Sequence, residues 1–147
     1  MTTAPLTDES RSELLRAVGL RVTQPRLAVL KALEATPHAG AETVLDHVRD
    51  ALPVSTQAVY DVLNVLAERG VVRRFQPAGS VARYELRTGD NHHHLVCRGC
   101  GRVVDIDCAV GEAPCLTPAE LATHAPGFAL DEAEVTFWGL CSDCQAG

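Results

Sequence analysis

The chain has 147 residues, 46% hydrophobic and 4% aromatic, with a formal net charge of −6. That length suits one ordinary domain or two small ones, and small halves seldom bury enough apolar surface to be stable without a metal or a partner subunit. There is no run of about 18 apolar residues and no charged-then-apolar leader, so neither a membrane span nor export is expected. A cytoplasmic chain with reduced cysteines follows, which favours metal or redox chemistry over structural disulfides.

Charge is divided unevenly along the chain. Through Gly89 there are 11 Lys and Arg against 10 Asp and Glu; from Asp90 onward there are 2 against 9. An acidic average is unusual for a nucleic-acid binder, but the basic residues lie almost wholly in the N-terminal half.

In chain order, Met1 to Ser10 reads as a polar arm. Ser10 to Val18 is a first helix, with Leu14, Leu15 and Val18 on one face and Gly19 as its stop. Thr23-Gln24-Pro25 opens a second helix, Thr as N-cap and Pro in the first turn. It carries Leu27, Val29, Leu30 and Leu33 as a buried stripe up to Ala35. Pro37-His38-Ala39-Gly40 reads as a turn. Ala41 to Leu52 repeats the helical period through Val44, Leu45 and Val48. Pro53 breaks it, and Ser55 caps a further helix to Glu68 with Val59, Val62, Leu63 and Leu66 inward, ended by Gly70.

The period then changes. Val71 to Phe75 and Val81 to Glu85, joined by Pro77-Ala78-Gly79-Ser80, read as a β-hairpin. Helices followed by a hairpin give the winged helix-turn-helix order. Arg87 to Asn91 is a polar hinge. Strands are expected at His92 to Val96, Val103 to Ile106 and Glu134 to Trp138, and a helix at Thr117 to His124. The predicted class is therefore α+β: a winged-helix domain over 1–86, a hinge at 87–91 and a small α/β domain over 92–147.

The helix from Ser55 to Glu68 would present Ser55, Thr56, Gln57, Tyr60 and Asp61 toward a major groove, Gln57 being suited to adenine and Tyr60 to phosphate or a thymine methyl. Arg21, Arg26 and the hairpin residues Arg73, Arg74 and Arg83 would engage phosphates or a narrow minor groove. The competing reading is a solvated helical bundle with ordinary surface arginines.

Two CxxC pairs, Cys97-Arg98-Gly99-Cys100 and Cys141-Ser142-Asp143-Cys144, have the spacing tetrahedral zinc needs. The alternative is redox thiols, but no βαβ pattern precedes either pair. His92-His93-His94 leads into the first pair and suggests a second, nitrogen- and oxygen-rich site. On a strand His92 and His94 share a face and His93 points away. Cys108 and Cys115 stand outside the quartet as a redox pair, extra ligands or inert thiols. No HExxH or Ser-His-Asp arrangement is present, and an enzyme is not expected.

Several motifs together resemble the ferric uptake regulator superfamily: Arg21-Val22-Thr23-Gln24-Pro25-Arg26, Gln57-Ala58-Val59-Tyr60, the His-rich run before a CxxC, and the terminal CxxC. The likeness runs from about Leu14 to Cys144. Asp107 to Leu116 and Gly89 to His94 look like the actinobacterial branch associated with catalase-peroxidase genes. The resemblance implies a homodimeric, metal-dependent, iron- or redox-responsive repressor that binds operator DNA and controls oxidative-stress or metal-homeostasis genes. Its second domain would be for dimerisation. A zinc- or manganese-sensing regulator is the nearest alternative; a CxxC redox enzyme or a metal buffer is more distant.

The resemblance also assigns ligands. Cys97, Cys100, Cys141 and Cys144 would hold structural zinc. His38, Glu85, His92, His94 and Asp105 would form the regulatory site, and three nitrogens with two carboxylates suit iron(II), manganese(II) or zinc. Asp105 is what peroxide-sensing members carry, so bound iron and peroxide would oxidise His38 or His92. The family's further site looks degraded, with Asn91, His93 and Ala133 at three of its positions and only Glu112 kept. His93, Glu112, His124 and Cys108 are candidates for a replacement. Asp61 stands where most members have Arg, which bears on the operator sequence.

Overall fold

The computed structural model describes residues 5–87, 92–107, 119–130 and 133–147, the side chains of 92 and 107 excepted. It forms two compact units, Met1–Thr88 and Gly89–Gly147.

In the first unit, α1 spans Asp8–Ala17, α2 Gln24–Ala35, α3 Ala41–Ala51 and α4 Thr56–Glu68. The N-caps of α2 and α4 are those expected, Thr23 accepting from the Arg26 amide and Ser55 from the Ala58 amide. Each satisfies a backbone N–H that has no partner within its own helix. The first helix starts two residues earlier than expected, because Thr7 caps it by accepting from Ser10 N and Asp8 and Glu9 favour the positive end of its dipole. The polar arm is shortened accordingly. Leu14, expected inside, is 36% exposed, while Leu15 is fully buried. The side of α1 toward α2 is instead completed by Arg11, whose guanidinium is buried against Glu34 and also pairs with Asp8.

Leu15, Val29, Leu30, Leu33, Val44, Val48, Val59, Leu63 and Leu66 form the core between the helices, each 2% exposed or less. After α4 the chain turns through Gly70 at φ +76, a conformation glycine adopts without Cβ strain. The amides of Gly70 and Val71 return to the carbonyls of Ala67 and Leu66, a Schellman closure. That closure launches β2, Val72–Phe75, which pairs antiparallel with β3, Arg83–Leu86.

One strand was not expected. Ala39–Gly40 forms β1 rather than a turn, pairing antiparallel with β3 so that Ala39 faces Tyr84 and Gly40 faces Arg83. The sheet order is β1-β3-β2. Strand β3 starts at Arg83, two residues later than expected.

The second unit is built on β4, His92–Cys97, at the centre of a sheet with order β5-β4-β6. The antiparallel neighbour β5 is Val103–Asp107, and the parallel neighbour β6 is Thr136–Gly139. The expected helix at Thr117 to His124 reduces to α5, Leu121–His124, since Glu120 immediately before it is left-handed at φ 54. Positions 117 and 118 lie outside the described residues. A five-residue α6, Ser142–Ala146, follows Cys141 and is too short to show a period in sequence. Among the described residues, no helix is long and apolar enough to cross a membrane. The α+β class and the winged-helix order are as expected.

Candidate metal centres and nucleic-acid face

The parallel pairing of β4 with β6 sets Cys97 opposite Gly139. Both strands therefore end at the same edge, and the two CxxC segments leave it side by side. The first folds back through Gly101 N donating to Cys97 O. The second runs from Cys141 into α6. One sulfur of each of Cys97, Cys100, Cys141 and Cys144 lies within 4.8 Å of the others. Sulfurs at about 2.3 Å from a tetrahedral ion stand about 3.8 Å apart, and Cys100 Sγ lies 3.8 Å from Cys141 Sγ. The quartet fits zinc.

The electrostatics of the quartet call for a cation. Cys141 N donates to Cys97 Sγ at 3.3 Å, and this amide above all holds the Cys97 thiol down to about 6. Cys144 is pushed up to about 12, first by Cys141 and then by Cys97 and Cys100, whose sulfurs share its proton. Four thiolates so close repel one another until a cation sits among them. Gly99 leaves room for this packing, since a Cβ there would lie 2.8 Å from Cys144 Sγ. Beside the knuckle, the Arg98 guanidinium stacks 4.8 Å above the Trp138 ring.

Each unit also sets a well-shielded imidazole against a carboxylate, His38 beside Glu85 and His94 beside Asp105. In the first, His38 immediately precedes β1 and Glu85 lies on β3, its pairing partner, and His38 Nε2 lies 3.2 Å from Glu85 Oε2. His38 is left-handed at φ 65, its ring edge-on to Phe75, and its carbonyl accepts from Arg83 at 3.2 Å. Arg83, expected at phosphate, thus has part of its guanidinium committed to holding the His38 turn. In the second unit, His94 faces Asp105 across β4 and β5, with Nε2 3.7 Å from Oδ1. Two donors about 2.1 Å from one ion at right-angle to tetrahedral spacing are about 3.0–3.4 Å apart. The His38–Glu85 spacing meets that; the His94–Asp105 spacing is slightly wider. The same distances would serve an ion pair to a protonated imidazole. His92 begins the same strand, and its side chain lies outside the described residues.

On α4, Gln57, Tyr60 and Asp61 are exposed. Ser55 and Thr56 are also exposed but engaged, Ser55 in its cap and Thr56 as acceptor from Arg49 at 3.2 Å. Arg49, which sequence reasoning missed, also donates to Val54 O at 3.2 Å and so ties the end of α3 to the start of α4. Arg26 is half-buried and donates to Arg21 O at 2.8 Å; Arg21 and Arg74 are exposed and Arg73 is half-buried.

Residues 17–137 match the ferric uptake regulator family. Transcriptional regulator FurA of Mycobacterium tuberculosis is 63% identical over 135 residues, 91% of this chain and 89% of that one. The chain belongs to the ferric uptake regulator family. A peroxide-responsive repressor PerR of Staphylococcus saprophyticus is 33% identical over 134 residues, 89% of this chain and 86% of its own. The solved ferric uptake regulator of Vibrio cholerae is 28% identical with a TM-score of 0.66, covering 88% of this chain and 98% of that one. Both the family and the class, a transcriptional regulator rather than an enzyme, are as expected.

For this member of the ferric uptake regulator family, the replacement site gains no support among the described residues. His93 is buried on the opposite face of β4 from His94, accepts from Val135 N at 3.3 Å through Nδ1, and meets the Phe137 ring edge-on. It packs the sheet. His124 is exposed and lies 3.7 Å from Glu120. Neither belongs to a metal-competent cluster of described residues. Cys108, Glu112 and Cys115 lie outside the described residues, as does Asn91.

Proposed function

We propose that the protein is a metal-dependent transcriptional repressor that binds operator DNA as a homodimer in the cytoplasm. Structural zinc sits in the cysteine quartet. Its effector is one divalent ion, iron(II), manganese(II) or zinc, held by His38 and Glu85 together with His92, His94 and Asp105. The observation that carries this is a shielded imidazole set against a carboxylate in each compact unit, His38–Glu85 and His94–Asp105. Either pair alone is a weak site; both together with His92 make a five-donor set. An ion that recruits both binds one arrangement of the two units better than any other, and that differential affinity is what a switch requires.

Two further findings support the reading. Leu95, Val104 and Phe137 lie on one face of the β5-β4-β6 sheet and are 37%, 36% and 47% exposed, an apolar patch of the kind a second copy covers. A related ferric uptake regulator of Pseudomonas aeruginosa, 27% identical with a TM-score of 0.66, was solved with manganese. The likeness to a peroxide-responsive repressor and to ferric uptake regulators also favours oxidative-stress or metal-homeostasis genes as targets. Footprinting on the gene's own upstream region, with zinc-loaded protein and added iron, manganese, zinc or nickel, tests the reading. Protection that needs one of these ions supports it, and protection indifferent to all of them refutes it.

A further inference from the structure

The exposed face of α4 carries an acid where an approach to phosphate would favour a base. Asp61 follows Gln57 by one helical turn, and the Gln57 amide nitrogen donates to Asp61 Oδ1 at 2.8 Å. An ionised carboxylate only accepts hydrogen bonds, so the amide can face it in one sense, NH2 inward to Asp61. A glutamine free at the surface turns over and offers either end. Here Asp61 removes that freedom. What remains is the carbonyl Oε1 and the second N–H of Gln57, one acceptor and one donor side by side. Ser55 and Thr56 are engaged as acceptors by the cap and by Arg49, whereas Gln57 keeps both a donor and an acceptor directed outward in a fixed order.

We propose that Asp61 is a positioning residue for base recognition, orienting Gln57 to read one adenine through its major-groove edge. Adenine offers an N6 amino donor and an N7 acceptor, the complement of what Gln57 has left. Cytosine offers the amino donor without the neighbouring acceptor, and guanine offers two acceptors. Orienting the amide in advance also lowers the ordering cost of binding. This inference rests on the proposed DNA binding.

Selection from a pool of randomised duplexes by the full-length protein with zinc and manganese tests it. The wild type is expected to enrich adenine at one position of each half-site, and 7-deazaadenine there, which lacks N7, weakens binding. Asp61→Asn and Asp61→Ala relax that position by roughly tenfold in discrimination, leave the other positions unchanged, and keep or raise affinity for mixed-sequence DNA because an acid has been removed. Gln57→Ala relaxes the same position without needing Asp61. An unchanged preference in the Asp61 variants overturns the proposal. So does a loss of binding to all sequences in those variants, which would make Asp61 structural. Failure of the wild type to retain any duplex with metal present would instead sink the repressor reading and this inference with it.

Discussion

His38, the residue before β1, sets its Nε2 3.2 Å from Oε2 of Glu85 on the neighbouring strand β3. The pairing depends on a two-residue strand and on a left-handed histidine. That conformation costs a non-glycine residue of the order of 1–3 kcal/mol. His38→Gly relieves the backbone and removes the ligand. This variant is expected to unfold no more easily than wild type in urea while losing metal-dependent DNA binding. Destabilisation by His38→Gly would show that the ring's contact with Phe75 outweighs the backbone relief, and retained metal-dependent binding would contradict its role as a ligand.

The cysteine quartet makes a prediction about protons. Cys97 is held down to about 6, so its thiolate persists above that pH and is lost as pH falls through it. Cys144 is pushed up to about 12, so at pH 7.5 it is a thiol and must surrender its proton to bind zinc. Zinc titration by calorimetry in buffers of different ionisation enthalpy is expected to show net proton release at pH 7.5, and zinc affinity is expected to fall steeply below about pH 6. Zinc uptake without proton release would contradict the assignment.

Gly99 gives a steric test of the same site. In Gly99→Ala the new Cβ would meet Cys144 Sγ at 2.8 Å, so the knuckle must open. Zinc release to a chromophoric chelator is expected to be faster by at least about tenfold, with the first unit unaffected. Equal release rates would show that the second CxxC does not close on the first.

Arg11 and Glu34 join α1 to α2 with Arg11 only 7% exposed at its side chain. Removing one partner strands the other charge, so Glu34→Ala is expected to cost about 3 kcal/mol in urea unfolding. The exposed Arg16–Glu9 pair is the control; Glu9→Ala costs about 0.5 kcal/mol or less.

Much of this was legible in the sequence for identifiable reasons. The caps Thr23 and Ser55 carry their own local chemistry, and the CxxC spacing is a ligand geometry written into four residues. The alternation of β4 correctly separated His94 from His93. What could not be read depends on distant partners. Strand β1 is two residues long and exists only because β3 accepts it. The burial of Arg11 depends on Glu34, 23 residues away, and ordinary surface patterning hides it. The role of Arg83 in holding the His38 carbonyl, and of Asp61 in holding Gln57, are likewise contacts that no periodicity announces.

The central claim is that one ion couples donors from the two units to DNA binding. Fluorescence anisotropy of a labelled duplex from the gene's own upstream region, titrated with zinc-loaded protein, measures it directly. Manganese is expected to tighten wild-type binding by roughly 10- to 100-fold, within the span of ordinary allosteric couplings. His38→Ala and His94→Ala, one from each unit, are each expected to abolish that gain while leaving the zinc content unchanged. If either variant keeps the full manganese response, the ion does not bridge the units and the account is wrong.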